Sequence, residues 1–438
     1  MAKSVVRLWA PFAFTVLFVP AAWAADKPTI DTGDTAWLLI ATALVLMMNI
    51  PGLSLFYAGM VRKKNVLATA VQAFAVAALV TVLWFAFGYS LAYTDGGALN
   101  GVLGSLGRAF GMGLGGSTHA LAKTVPENVF LMYQATFAII TPAIIAGAFA
   151  ERMKFSGMMW FMGLWLIFVY VPVAHWVWGG GFLGQAGVLD FAGGVVVHLN
   201  AGIAGLVCAL VLGKRQGYGH EYMAPHDLVL TLIGTSLLWV GWFGFNAGSA
   251  LASGELAGYA MLNTHISASV AALVWMAIEW TSRGKPSVLG ILSGAVAGLG
   301  TITPAAGFVE PWSAMVIGLI AGAVCYWASV VLKLRLGYDD SLDVFGVHGV
   351  GGIMGTILTG VFATKSINDV FKGQAVGLVD GHGAQVLTQL YGVLAIGAFS
   401  AVMTWILLKI VDVMIGLRVT RDEETEGLDT VLHGERVQ

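Results

Sequence analysis

Long apolar runs, interrupted by short polar or basic connections, set the rhythm of this chain. Segments long enough to cross a hydrocarbon layer of roughly 30 Å, which takes about 20 helical residues, fall near 36–58, 66–93, 126–149, 156–177, 191–212, 227–249, 257–280, 287–306, 312–332, 344–363 and 384–411. The pattern predicts an all-α membrane protein with eleven transmembrane helices. Basic residues follow every odd-numbered span: Arg62, Lys63 and Lys64; Arg152 and Lys154; Lys214 and Arg215; Arg283 and Lys285; Lys333 and Arg335. With Lys409, Arg418, Arg421 and Arg436 they put fifteen positive residues on one side, against Lys27, Arg108, Lys123, Lys365 and Lys372 on the other. The positive-inside rule then predicts an outside N-terminus and a cytoplasmic C-terminus.

The first residues read as an address. Lys3 and Arg7 precede an apolar stretch from Leu8 to Val19, Pro20 breaks it, and Ala22-Trp23-Ala24 has the small-x-small form of a signal-peptidase site. The apolar core is about a dozen residues, too short to span as a helix, so residues 1–24 are expected to be a cleaved signal peptide rather than a retained anchor. A secretory signal ahead of a many-span chain points to a bacterial inner membrane, with a periplasmic mature N-terminus.

Two patterns recur along the chain. Asp190, His198, Gly202 and Gly205 return as Asp340, His348, Gly352 and Gly355, each 150 residues later, in the form D-x7-H-x3-G-x2-G. Gly52, Phe56, Ala58 and Gly59 match Gly241, Phe245, Ala247 and Gly248, offset by 189. The larger offset fits the long outside loop from Thr94 to Val125. Spans one to five and six to ten are therefore expected to be two repeats, inverted because five is odd, with the eleventh helix added. The expected organisation is 25–35 outside, 36–212 first repeat, 213–226 cytoplasmic connection, 227–363 second repeat, 364–383 outside loop, 384–412 eleventh helix and 413–438 cytoplasmic tail.

Composition narrows the function. Of 438 residues 58% are hydrophobic and 11% charged, against about 25% charged in soluble domains. The net charge of -2 offers no basic field for nucleic acid. Cys208 and Cys325 lie in apolar runs and read as packing thiols, not a disulfide. No Gly-x4-Gly-Lys-Ser/Thr phosphate loop is present, so ATP-driven pumping has no support. No enzymatic activity, cofactor or metal is expected. Gly reaches 58 residues, in keeping with close helix approach in a membrane.

Ionisable residues inside spans carry the candidate chemistry. His198 lies eight residues after Asp190, about 12 Å along a helix, close to the midplane, and His348 reaches the same depth from the inner side. The glycines at i+4 and i+7 share the histidine's face, so the fifth and tenth helices are expected to cross with the imidazoles adjacent. A lone intramembrane histidine is usually a packing residue; the pairing through the repeat favours function. Asp190 and Asp340 sit where helices begin and read first as caps, while Asp343, Glu127 and Glu279 lie at span ends with a solvated or capping role. Trp178, beside Gly179 to Gly181, is an interfacial belt residue or an aromatic face for a cation.

The strings Ala150-Glu-Arg152, Trp178-Gly-Gly-Gly, Asp190-Phe-Ala-Gly-Gly-Val-Val-Val-His198, Gly241-Trp-Phe-Gly-Phe-Asn-Ala-Gly-Ser249 and Asp343-Val-Phe-Gly-Val-His348-Gly-Val resemble those of the ammonium transporter family of bacteria, plants and fungi. The tail Gly416-Leu-Arg418, Glu426-Gly-Leu-Asp429 and His433-Gly-Glu-Arg436 is similar to that family's cytoplasmic end. The resemblance implies a homotrimer in the lipid bilayer with a narrow pore through each protomer. It puts ammonium recruitment at Phe137, Trp178 and Ser249, a stacked gate at Tyr133 and Phe245, with tyrosine a departure from phenylalanine, and the twin histidines at His198 and His348. Asp190 and Trp242 take supporting places. It also implies a PII-type signal-transduction protein able to dock at the tail and plug the inner mouths. Alternatives are an ammonium sensor with incidental conduction, a Rhesus-type channel, which as a rule lacks the Trp-plus-Ser outer site, and a channel or symporter using the histidines as a proton relay.

Overall fold

The computed structural model describes residues 29–437; the expected signal peptide lies outside the described residues. The architecture is all-α apart from one hairpin. In chain order the helical segments are α1 (Thr32–Met60), α2 (Lys63–Tyr93), α3 (Glu127–Phe149), α4 (Phe155–Gln185), α5 (Gly194–Leu212), α6 (Leu228–Gly248), α7 (Glu255–Arg283), α8 (Val288–Ile302), α9 (Pro311–Leu336), α10 (Phe345–Phe362), α11 (Ala384–Ile415) and a short tail helix α12 (Arg421–Glu426). Among the described residues ten are long and apolar enough to cross a membrane, and α8 is a shorter apolar helix in the eighth expected place. The hairpin pairs β1 (Thr118–His119) with β2 (Ala122–Pro126) inside the long α2–α3 loop.

Caps explain where several helices begin. The Asp31 carboxylate accepts from Asp34 N at 2.9 Å, Asp227 from Val229 N and Leu230 N, and Ser287 Oγ from Gly290 N, which satisfies donors that a first turn leaves open. The expected starts of α5 and α10, at 191 and 344, move to Gly194 and Phe345 because Asp190 and Asp340 take the capping role. Asp190 Oδ1 accepts from Gly193 N and Gly194 N, and Oδ2 from Val195 N and Val196 N. Asp340 Oδ2 accepts from Phe345 N at 2.7 Å. Both helices then open on one widened π-helical turn, Gly194–Leu199 and Phe345–Gly349, before 13 regular residues. Turns of this kind are rare and concentrate at functional sites; each of these two carries one of the histidines.

The two halves meet through reciprocal glycine contacts. A Cβ on Gly202 of α5 would land on the Gly349 backbone of α10, and a Cβ on Gly352 of α10 would sit 2.6 Å from Leu199 N of α5. Each glycine thus packs on the residue following the other half's histidine. The second repeat pattern behaves likewise: Gly59 of α1 lies against Thr231 of α6, and Gly248 of α6 lies 2.7 Å, counted from an added Cβ, from the Ala41 side chain of α1. Such reciprocity is what a two-fold relation between α1–α5 and α6–α10 produces, and lipid offers no hydrophobic drive to replace such contacts. α11 is the addition; its Ser400 Oγ donates to Asn200 O and its Thr404 Oγ1 accepts from Trp165 Nε1.

The crossing makes a direct prediction. Gly202→Val should destabilise the detergent-solubilised protein, seen as a lower melting temperature, by more than the ~1–3 kcal/mol usual for core overpacking, since backbone rather than a side-chain tip blocks the new atoms. Gly397→Ala, where nothing lies within 4 Å, should leave the melting temperature unchanged or slightly raised.

Candidate functional site

Trp178 ends the regular part of α4, where Gly179 and Gly181 allow the chain to pass against Ala92 O and the Trp176 backbone, contacts that leave no room for a Cβ. Its indole Nε1 donates to Asp190 O at 2.9 Å. Asp190 therefore shapes this place twice, capping α5 with its carboxylate and orienting Trp178 with its carbonyl. α3 brings Tyr133, Gln134 and Phe137 to the same level, and the end of α6 brings Ser249. Phe137, Trp178, Asp190, Ser249, Leu121 and Leu251 are among the walls of one cavity of about 180 Å³.

The hydroxyls here are committed in a useful direction. Ser249 Oγ donates to Phe245 O at 2.9 Å, and Tyr133 Oη reaches Phe245 O at 2.9 Å, Gly244 O at 3.0 Å and Ser249 Oγ at 3.3 Å. With its hydrogen on a carbonyl, Ser249 has lone pairs left to accept from a donor in the cavity. The departure at Tyr133 is absorbed the same way: its hydroxyl is satisfied by backbone and serine.

The aromatic floor differs from the expected Tyr133–Phe245 stack. Phe245 lies against Phe137, with centroids 4.4 Å apart and planes at 30°, while Tyr133 meets Phe137 edge-on at 5.1 Å. The reason is the hydroxyl. Held on the α6 carbonyls, it keeps the Tyr133 ring to the side and leaves the face of Phe245 to Phe137, one helical turn further along α3. Phe137 is thus shared between the cavity lined by Ser249, where it meets Trp178 at 5.9 Å, and the aromatic pair next to it.

Beyond Phe245 come the histidines. His198 is fully buried and His348 nearly so; their Nδ1 atoms are 3.2 Å apart and their planes differ by 11°. Trp242 stacks on His198 at 5.4 Å and is fixed by its Nε1 donating to Thr303 Oγ1. An Nδ1–Nδ1 hydrogen bond requires one ring to donate and the other to accept. The donor ring, carrying its hydrogen on Nδ1, has a bare Nε2; the acceptor ring carries its hydrogen on Nε2. The pair therefore offers one acceptor and one donor outward, and His198 Nε2 has no partner among the described residues. On the wall opposite, an added Cβ at Gly300 would come within 3.8 Å of both Nδ1 atoms. From the opposite end a small cavity reaches His348 between Phe56, Tyr57, Val347 and Asp343, with Asp343 paired to Lys333.

Eight of the nine expected site residues lie along one file: the cavity with Trp178, Asp190 and Ser249, then Phe137 and Phe245, Trp242 with His198, and His348; Tyr133 stands beside it, held on the α6 carbonyls. A second cluster, on the predicted cytoplasmic side, carried no role in the sequence reading. Glu151, at φ 72, pairs with Arg62 and Arg215, both at 3.0 Å, and Arg215 pairs with Asp339 at 2.8 Å. Arg152, fully buried, donates to Ala148 O, Asp339 O and Ser341 Oγ. The tail docks here: Val419 N donates to Arg152 O, Glu424 accepts from Gln216 N and Arg418, and Asp429 accepts from Leu67 N and Ala68 N. Glu127 and Glu279 are likewise buried and partnered, with Arg108 and Tyr89 and with Ser287 respectively; of the solvated or capping role expected for span-end carboxylates, the solvated form does not hold for these two. Charge complementarity between loops distant in sequence has no local pattern, which is why composition alone did not find these clusters.

Two inverted halves enclosing a narrow file of aromatic and imidazole rings define a polytopic membrane protein built for transport of a small solute. The Ammonium Transporter Family model matches residues 36–438, and the chain belongs to that family. An ammonium transporter of Bacillus subtilis is 48% identical over 92% of this chain and 98% of its own length, and one of Aquifex aeolicus 49% over 94% and 95%. The crystal structure of Saccharomyces cerevisiae Mep2 superposes with a TM-score of 0.84 at 38% identity, covering 90% of this chain and 89% of its own. A structure named Sensor Amt Protein gives 0.84 at 27% identity, over 92% and 98%.

The loop network sets a pH dependence. Burial would raise the Glu151 carboxyl, but Arg215 and Arg62 outweigh it and hold it below its usual range; Arg215 does the same for Asp339 against burial. A carboxylate depressed in the folded state contributes stability that is present above its unfolded value, about pH 4, and lost as pH falls through the folded value. The melting temperature should therefore hold from pH 8 to about 5 and decline below about 4. Glu151→Gln should cost ~3–5 kcal/mol by leaving Arg215 and Arg62 short of a partner and make the acid decline shallower.

Proposed function

We propose that this chain carries ammonium across the membrane by recruiting the cation at an outer aromatic and serine site, where it gives up its proton to water above the Phe137–Phe245 pair, and passing ammonia along the histidines to take a proton from water on the far side. The observation that carries the proposal is the continuous file from the outer cavity through the aromatic pair to the Nδ1–Nδ1 histidine pair. Ammonium is close to potassium in size, so oxygen ligands alone would admit both. Ammonium differs in donating directional hydrogen bonds, which Ser249 accepts, and in being able to give up a proton. Trp178 and Phe137 add a cation–π contribution of ~1–2 kcal/mol when partly desolvated. The paired Phe137 and Phe245 rings oppose a bare ion, whose transfer to an apolar medium is far costlier than that of a neutral molecule. Ammonia, both donor and acceptor, matches the one donor and one acceptor that the two Nε2 atoms offer. Phe137 serves both the recruitment site and the gate, and Tyr133 positions Ser249 instead of stacking.

The assembly is a homotrimer in a bacterial inner membrane, with the signal peptide removed, the N-terminus periplasmic and the tail cytoplasmic. Residues 36–212 and 227–363 form the two halves. One support for association is His265. It lies ten residues into α7, about 15 Å along the helix, yet is exposed on the single protomer beside Trp239 and Phe243, where lipid alone would leave an ionisable group unpartnered. The docked tail supports a cytoplasmic contact for a PII-type protein. A sensing role is the second reading, favoured by the likeness to the structure named Sensor Amt Protein; growth at low ammonium of cells lacking other uptake systems separates it, because a pure sensor restores none.

His198→Ala should abolish selective conduction or admit potassium; wild-type ammonium transport with unchanged selectivity would remove the histidines from the mechanism. Trp178→Leu and Ser249→Ala should each raise the ammonium KM several-fold, on the order of the lost 1–2 kcal/mol, with the maximal rate little changed. Initial uptake rates across an ammonium series measure both.

A further inference from the structure

Among the walls of the outer cavity that lie outside the spanning helices are Leu121, between β1 and β2, and Leu251, in the turn after Ser249. Leu251 is held at φ 56, the left-handed region that a bulky residue occupies only where its surroundings impose it. Its own turn supplies one bond, Leu251 N to Gly248 O at 2.9 Å. The other restraint arrives from α1. Asp34, in the first turn of that helix and largely buried, divides its carboxylate between the two segments. Oδ2 accepts from Thr124 Oγ1 of β2 at 2.6 Å; Oδ1 accepts from Ser253 N at 2.7 Å and Ser253 Oγ at 3.0 Å. Asp31 N adds a bond to Thr124 O at 2.8 Å.

We infer that Asp34 is a positioning residue for ammonium capture: it fixes the hairpin and the Ser249–Gly254 turn to one rigid helix end, and so sets the shape of the outer cavity. The inference rests on the reading of that cavity as the recruitment site. Bonds to a carboxylate are the stronger kind, and a helix N-terminus favours the negative charge, so one side chain can hold two loops that have no bond of this kind to each other. Releasing them moves Leu121, Leu251 and the turn that carries Ser249. The aromatic pair and the histidines, built on α3, α5, α6 and α10, are not touched. The expected consequence is weaker capture with unaltered passage.

Initial ammonium uptake into proteoliposomes tests this with five variants. Asp34→Ala should raise KM on the order of tenfold while the maximal rate stays within about twofold, the pattern of lost binding without lost turnover. Asp34→Asn, which retains an acceptor, should fall between it and wild type. Thr124→Val removes only the hairpin bond and should raise KM by roughly two- to fivefold; Ser253→Ala should do similarly on the other side. A role in folding alone would lower yield and maximal rate at constant KM, and that result overturns the inference. Should Asp34→Ala not fold, Thr124→Val and Ser253→Ala decide the matter, and unchanged KM in both overturns it. Ser249→Ala separates the two levels. If it raises KM while the strut variants do not, Asp34 is wrong and the recruitment site stands; if it leaves KM unchanged, the recruitment reading itself fails.

Discussion

Two imidazoles can meet Nδ1 to Nδ1 inside a membrane only if the helices bearing them come close enough for backbone to touch backbone, and the crossing of α5 and α10 does this. Gly202 against Gly349 and Gly352 against Leu199 remove the side chains that would hold the helices apart. The widened turns at Gly194–Leu199 and Phe345–Gly349 rotate each histidine toward the other. The buried caps at Asp190 and Asp340 satisfy the backbone donors at the broken helix starts, which lipid could not.

The file above the histidines follows from the same arrangement. Asp190 caps α5 and, through its carbonyl, orients Trp178, so the helix that carries His198 also aims the aromatic face of the outer cavity. Phe245 and Trp242 stand on α6, which α1 holds by its own reciprocal glycine contacts. A path with so little fixed charge on its walls suits a species that crosses neutral. Charge is instead concentrated at the ends: the outer tie at Asp34 and the Glu151–Arg215–Asp339 cluster that anchors the tail. These ends fix loops and leave the path between them apolar.

Much of this was legible in the chain. The eleven apolar segments each coincide with a helix, the 150- and 189-residue offsets foretell which helices touch, and His198 and His348 stand together as their shared pattern implies. What was not legible depends on contacts between distant segments. Tyr133 and Phe137 lie on one face of α3, and nothing local states which ring will lie on Phe245; the Tyr133 hydroxyl, by taking carbonyls of α6, decides it. The Asp34 tie and the docking of Asp429 on α2 join residues 90 to 362 positions apart. Glu151 looked like part of a motif string, and only its two arginine partners reveal what it holds.

In the proposed mechanism selectivity arises because the permeating species sheds its charge before it reaches the histidines. Wild-type protein in liposomes, challenged in turn with ammonium, methylammonium and potassium while current and lumenal pH are recorded together, tests this most directly. The account predicts a response to ammonium, seen as lumenal alkalinisation if ammonia crosses alone or as current if the proton follows, a weaker response to methylammonium, and neither signal with potassium. A potassium current comparable to the ammonium signal would contradict it.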